Sequence, residues 1–416
     1  MLIAIPLTRS GLTAWVLGFL FSTAILAAEA NWPSWRGPRG DGHSAESGLP
    51  TRWDASSVAW KTPLKGRGQS SPSIWGDRIF LTSALEEGRQ RLVFCVDAQD
   101  GHVIWEHVAW TGEPEKSHVM NGWASATCAT DGEVVVAFFG RGGLHAYTLD
   151  GQPLWSRDLG PFEGPWGTAA SPLIVGDLVI QNGDSERDAF LEAFDRKTGN
   201  SAWRRPRPDH RGWSTPVLVQ QAGRAQLVLN GHTGATAYDP ANGAELWFTP
   251  NSNGRGEPTV TPGRDFLYVV CGLGGDMYAL RLAAASNSPQ VVWSAPRRGG
   301  RDLPAPIAVG DCVIVSSLSG IATCYDAKTG KEHWKERLGG QFSSSPIAIG
   351  GLVFFQNEAG ETVVIEPGPT FQIVARNALD KSADELFRAS LTPYGGRIYS
   401  RSTTHLYCIG QPQPHP

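Results

Sequence analysis

The chain has 416 residues and a formal net charge of −4, and its lysines and arginines are scattered rather than gathered into a run. Without a clustered positive surface to neutralise phosphates, nucleic-acid binding through a basic field is not expected. Glycine contributes 49 residues, well above the roughly 7% share of an average protein, which suits a chain built from many tight turns.

At the amino end, Arg9 precedes an apolar stretch from Leu12 to Leu26, and Ala28-Glu29-Ala30 has the small-x-small pattern of a signal-peptidase site. Residues 1–30 therefore read as a signal peptide cleaved after Ala30, with a periplasmic or secreted product and no integral membrane segment once it is removed. Cys95 is the first cysteine, so a lipid-modified cysteine directly after the leader is not expected. Residues 31–56 read as an extension, and removing only 31–52 is expected to destabilise the fold much less than removing 31–62, which would take the next segment with it. Val58-Ala59-Trp60-Lys61 then reads as a closing strand with no repeat in front of it.

From there the chain repeats. Trp60, Trp105, Trp155, Trp203, Trp247, Trp293 and Trp334 follow one another at steps of 45, 50, 48, 44, 46 and 41 residues. Each copy begins with an apolar run after a Ser/Thr-Pro-like opening and turns at a Gly-Asp or Gly-Gly. It ends in a segment such as Tyr325-Asp326-Ala327-Lys328-Thr329-Gly330 followed by the tryptophan. Four short strands in 40 to 50 residues, with glycine at the turns, predict a propeller blade; helical repeats would carry apolar residues at 3.6 spacing.

Openings at Ser71-Pro72, Ala126-Thr127, Ser171-Pro172, Thr215-Pro216, Pro258-Thr259, Ala305-Pro306, Ser345-Pro346 and Thr392-Pro393 count eight copies. The last copy ends at Leu406-Tyr407-Cys408-Ile409 without a closing tryptophan, and the orphan strand around Trp60 supplies one. The sequence thus predicts an all-β, eight-bladed propeller of four-stranded antiparallel blades over residues 57–410, closed by its amino-terminal strand, with 411–416 as a tail. Such closure leaves no open edge between the first and last blades.

In a propeller, the segments joining one blade to the next cross one end of the central channel. Here they carry Arg67, Arg211, Arg255, Arg301 and Arg388, interleaved with Trp123, Trp166, Trp213, Phe342 and Phe387, and with His118, Asn121, Glu257 and Asp302. Guanidinium groups, aromatic faces and backbone-exposing glycines make a receptor for a small planar or anionic ligand or for a partner protein. At the opposite end lie Asp-x-x-x-Gly turns such as Asp195 to Gly199 and Asp239 to Gly243, whose Asp and Gly have plain turn roles.

The six cysteines form no C-x-x-C and no vicinal pair, which argues against zinc and redox motifs. Cys95 and Cys324 each stand ten residues before a closing tryptophan, where Ala193 and Ala237 stand in other copies, so they read as small core residues. Cys312 and Cys324 lie symmetrically about Leu318 and can face each other across a hairpin, with or without a disulfide. Gly140-Arg141-Gly142-Gly143 and Gly272-Leu273-Gly274-Gly275 sit between strands and read as hairpin turns rather than phosphate loops. Nucleophile-elbow, zincin and calcium-loop patterns do not occur.

The closing motif at 325–334, with its counterparts ending at Trp203 and Trp247, resembles the tryptophan-docking repeat of the pyrroloquinoline-quinone-like propeller superfamily. The opening Trp32-Pro33-Ser34-Trp35-Arg36-Gly37-Pro38-Arg39-Gly40-Asp41-Gly42 resembles a branch of secreted bacterial propeller proteins. The resemblance implies one of two roles. One is that of the propeller lipoprotein of the outer-membrane β-barrel assembly machinery, a scaffold without a cofactor. The other is that of a quinoprotein dehydrogenase of alcohols or aldose sugars, which binds the quinone with calcium in the channel. This chain lacks the vicinal Cys-Cys that covers the quinone, and no Glu, Asn and Asp set maps onto the calcium ligands. The expectation is an exported binding or scaffold module with no catalytic or metal-binding residues, and quinone-dependent oxidation is the alternative.

Overall fold

The computed structural model describes residues 31–410 except 222, 252–253, 283–287 and 299. The leader read at 1–30 and the tail at 411–416 lie outside the described residues, as does Gly299 of one joining segment.

Eight separate sheets form the eight blades, each with a core of four antiparallel strands. The inner strands of blades 1 to 7 are Ser73–Trp75, Ala129–Thr130, Leu173–Val175, Val217–Gln221, Thr261–Pro262, Ile307–Val309 and Ile347–Ile349. Their outer strands are Val103–Thr111, Pro153–Arg157, Ser201–Pro206, Glu245–Pro250, Gln290–Pro296, Glu332–Arg337 and Gln372–Asn377. Blade 8 is made of Thr392–Tyr394, Arg397–Arg401 and His405–Ile409, and its outer strand is Val58–Pro63 from the amino end. The expected closure is therefore present, with Trp60 paired to Cys408 and Lys61 to Tyr407.

The register explains the repeat. The pairing of third with outer strand shifts in every blade at the level of the tryptophan, or of Ala375 in blade 7. Such a bulge bends the strand and re-aims a side chain. The indole then reaches the next blade, where Trp105, Trp155, Trp203, Trp293 and Trp334 donate to the carbonyls of Leu149, Arg196, Pro240, Ala327 and Gly368 at 2.8–3.1 Å. The turn glycines have a second role beyond the plain one read from the sequence. Gly199 and Gly243 lie against Trp155 and Trp203, and a Cβ there would stand 2.5 Å from the ring. Cys95 and Cys324 pair with Trp105 and Trp334 just as Ala193 and Ala237 pair with Trp203 and Trp247, the positions of small core residues. All six cysteines are free and buried, and the Cys324 thiol donates to the Gly368 carbonyl at 3.7 Å.

A ring of hydroxyls ties the blades together around the channel. The N–H groups of Ser71, Thr127, Ser171 and Thr215 donate to the hydroxyls of Thr127, Ser171, Thr215 and Thr259 at 2.9–3.1 Å. Those of Ala305, Ser345 and Ser390 donate to Ser345, Ser390 and Ser71 at 2.9–3.0 Å. This corrects the eighth opening: the equivalent residue is Ser390, two before Thr392. The ring is interrupted only where Ala305 offers Thr259 no hydroxyl.

The extension packs across the far end of the channel, with contacts to blades 1, 2, 6, 7 and 8. Trp32 exchanges backbone bonds with Ile74 of blade 1, and Pro33 accepts from Thr130 of blade 2. Arg36, 1% exposed, donates to the Asp41 and Pro306 carbonyls at 2.7 and 2.8 Å. His43–Ser44 adds to blade 7 as a parallel fifth strand. The Glu46 carboxylate accepts from Gly395 and Gly396 of blade 8. Buried aromatic and aliphatic side chains here contribute about 1.5–3 kcal/mol each.

Candidate functional site at the channel mouth

The joining segments meet at the other end of the channel and are laced together there. Trp213 and Ser214 both donate backbone N–H to the Gly256 carbonyl at 2.9 Å, and the Trp213 indole donates to Gly167 at 2.9 Å. The Asn121 amide donates to the Trp166 carbonyl at 3.0 Å, and His118 stands 5.4 Å from the Trp166 ring. Gly256 has φ +66 and approaches Gly231 so closely that a Cβ would lie 3.0 Å from its backbone, which explains why glycine stands there.

These contacts enclose a cavity of about 200 Å³. Of the twelve candidate residues, His118, Asn121, Trp166, Trp213, Glu257, Arg301 and Arg388 line it. Below them runs the hydroxyl belt of Ser71, Thr127, Ser171, Thr215, Ser345 and Ser390, and Trp35 of the extension forms the floor. Nothing local in the sequence marks Trp35 as a channel residue, because its place depends on the path of the extension.

The remaining candidates are elsewhere. Asp302 is buried and held by both nitrogens of the Arg297 fork at 2.9 and 2.7 Å, which makes it half of an internal ion pair. Trp123 donates to the Glu115 carbonyl at 2.8 Å and lies under the Arg91 guanidinium, wedged between blades 1 and 2. Arg67 sits on the rim, donating to the Asp384 carbonyl and the Thr403 hydroxyl. Arg211 and Arg255 do not line the cavity and lie 5.5 and 5.8 Å from the Trp166 ring centre. Phe342 and Phe387 are fully buried and pack against Phe355 and Tyr407 rather than walling the cavity.

Arg297 was missed, although the sequence carried a signal. It follows Trp293 by four residues, as Arg207 follows Trp203. Arg207 makes the matching buried pair with Asp184 at 2.6 Å and reaches the Tyr238 hydroxyl at 2.7 Å, while Arg297 reaches that of Tyr325 at 3.2 Å.

Charge at the mouth is unevenly satisfied. Glu257, 8% exposed, uses Oε1 to accept from Arg301 Nε at 3.0 Å, while its Oε2 is buried and has no protein partner. The Trp166 indole N–H is likewise buried and unpaired. Arg388 stands 3.1 Å from Glu358 and donates to the Val119 carbonyl at 2.9 Å, bridging blade 8 to the join between blades 1 and 2. Burial and the neighbouring guanidinium groups push Arg255 below its ordinary range, opposed by Glu257. An orphaned buried acceptor beside cationic groups calls for a hydrogen-bonding guest or ordered water.

The mouth does not suit a calcium-bound quinone. Calcium takes about six to eight oxygen ligands. Glu257 is the only carboxylate lining the cavity among the described residues, one of its oxygens is engaged by Arg301, and Arg388 is a further neighbour.

A family model described as outer membrane protein assembly factor BamB matches residues 45–164, 129–267 and 278–367. The outer membrane protein assembly factor BamB of Burkholderia pseudomallei is 35% identical over 313 residues, covering 71% of this chain and 72% of that protein. Among solved structures, BamB from Moraxella catarrhalis matches with a TM-score of 0.64 at 17% identity, over 86% of this chain and 98% of that one. Quinohemoprotein alcohol dehydrogenase from Comamonas testosteroni matches with a TM-score of 0.67 at 12% identity, over 96% and 83%. Identities this low speak to the fold alone, since unrelated functions share propellers. The repeat register, the blade count and these matches agree: the chain belongs to the outer membrane protein assembly factor BamB family of PQQ-like propellers.

Proposed function

We propose that this protein is an exported, periplasmic or secreted scaffold that binds a partner protein at the channel mouth and has no catalytic activity of its own. Family membership supports the scaffold role, and the leader-like residues 1–30 support export. No helix among the described residues is long and apolar enough to cross a membrane.

The observation that carries the reading is the size and lining of the mouth. At about 200 Å³ the cavity is smaller than the roughly 300–1,000 Å³ of ordinary small-molecule sites. It suits one polar side chain offered by a docked protein, held by Arg301, Arg388 and the free Glu257 oxygen between the Trp166 and Trp213 rings. Larger cofactors would require the joins to open.

A photo-crosslinking residue at Val119, which is 80% exposed on the rim, tests this in cells. A discrete crosslinked partner is expected, lost on Arg301→Glu while melting is unchanged. Loss of stability before loss of crosslinking would make Arg301 part of a structural lid. Saturable binding of pyrroloquinoline quinone with calcium, accompanied by dye-linked oxidation of an alcohol or aldose, would sink the scaffold reading.

A further inference from the structure

The far end of the channel is asymmetric. Each inner strand has one edge paired within its blade and the other turned to the channel. In blade 1, Trp75 and Arg78 face each other across two intervening residues, so they form a hydrogen-bonded pair and Ile74 points its backbone groups outward. The same parity turns Ala308 of blade 6 and Ala348 of blade 7 outward. All three are capped by the extension. Ile74 exchanges both bonds with Trp32 at 2.7 and 3.1 Å, the Ala308 carbonyl meets His43 Nε2 at 2.7 Å, and the Ala348 N–H donates to Gly42 at 2.8 Å.

Blade 4 is not capped. Its inner strand Val217–Gln221 is five residues long where the other inner strands have two or three. Gln221 pairs with Arg224 across two residues, so the N–H and C=O groups of Leu218 and Gln220 face the channel. Among the described residues, no backbone bond reaches either from across the channel. Both line a cleft of about 910 Å³, bounded on one side by Trp35 to Asp41 of the extension and on the other by blades 4 to 6. Its charged lining is balanced, Arg39, Arg264 and Lys328 against Asp41, Asp265 and Asp311.

We infer that this cleft takes an extended peptide segment of a partner protein, which adds as a strand to the Leu218–Gln220 edge. The occupant is argued from the molecule itself, because the extension already covers the equivalent edges of blades 1 and 7 with extended backbone. An uncovered strand edge beside apolar Leu173, Leu218 and Leu267 recognises main-chain hydrogen bonds and alternating apolar side chains. With balanced charge around the rim, the partner segment is neutral and apolar at every second residue rather than acidic or basic. The site is at the opposite end of the channel from Arg301 and does not depend on the proposal made for the mouth.

The probe is a fluorescent nonapeptide of alternating Val and Thr with a lysine at one end and a glutamate at the other, titrated into the mature chain. Saturable binding is expected, at least tenfold weaker for a peptide N-methylated at every second residue, and with slowed amide exchange at Leu218 and Gln220. Gln220→Pro removes only an outward N–H, so it should fold normally and weaken binding by a similar factor, whereas Arg301→Glu should bind as the unaltered protein does. The N-methylated peptide needs no variant, so the test stands even if Gln220→Pro fails to fold. Absence of saturable binding, equal binding of the N-methylated peptide, or protection of an outer strand such as Val103–Thr111 instead would overturn the inference.

Discussion

Trp53 of the extension stacks on Phe354 of blade 7, with ring centres 6.2 Å apart and planes 5° from parallel. Phe354 holds the register that Phe80 holds beside Trp105 and Tyr268 beside Trp293. In blade 7, however, the outer-strand residue at that level is Ala375. The seven docking tryptophans serve the other interfaces, and Trp53 fills the space left by the missing eighth. Its backbone is fixed by Asn377, which accepts from Trp53 N–H at 2.9 Å and donates to the Thr51 carbonyl at 3.1 Å.

Trp53→Ala should therefore cost as much as truncating a repeat tryptophan such as Trp203, about 3–5 kcal/mol. Urea unfolding of the two variants side by side checks this. A Trp53→Ala protein within about 0.5 kcal/mol of wild type would show that the stack is incidental.

Ala305→Ser should complete the hydroxyl ring. The added oxygen stands where Ser345 and Ser390 accept from the preceding blade, so the Thr259 N–H gains a partner, worth about 0.5–1.5 kcal/mol. A raised melting temperature is the expected result, and a lowered one would mean that the site has no room for the hydroxyl.

Glu385 ties the closing strand down. It is fully buried and accepts from Lys61 at 3.0 Å, Ser402 at 2.6 Å and Tyr407 at 2.6 Å. Burial alone would raise its carboxyl, but the hydrogen bonds from Ser402, Tyr407, the Ser382 N–H and Lys61 hold it down, from 4.5 to about 2. Because the folded value lies below the ordinary one, the stability it contributes is complete above about pH 4.5 and disappears as pH falls toward 2. Glu385→Gln should lower stability at neutral pH and flatten the loss between those values, read from unfolding midpoints at pH 6, 4 and 3.

Asp302 and Glu257, two acids of neighbouring joins, should separate cleanly. Asp302→Asn leaves the buried Arg297 unpaired and should cost about 3–5 kcal/mol. Glu257→Gln, beside the partly exposed Arg301, should cost about 1 kcal/mol or less while abolishing the Val119 crosslink. Equal destabilisation by both would mean that Glu257 is structural too.

The sequence by itself determined what repeats. Closing tryptophans, glycine turns and Ser/Thr openings recur from blade to blade, with Ala375 and Ala305 as the exceptions, because each blade must present a small residue, bulge and turn to its neighbour. The blade number and the closure by Val58–Pro63 followed from counting a strand too many at one end and one too few at the other. Tertiary structure decided what does not repeat. Whether a join's side chain enters the channel depends on its nearest opposite charge. Arg297 turns Asp302 inward, while Arg301 leaves one Glu257 oxygen free. Trp35 reaches the channel floor and Trp53 the gap beside Ala375 through contacts more than 250 residues away in the chain, and no periodic pattern encodes contacts made once.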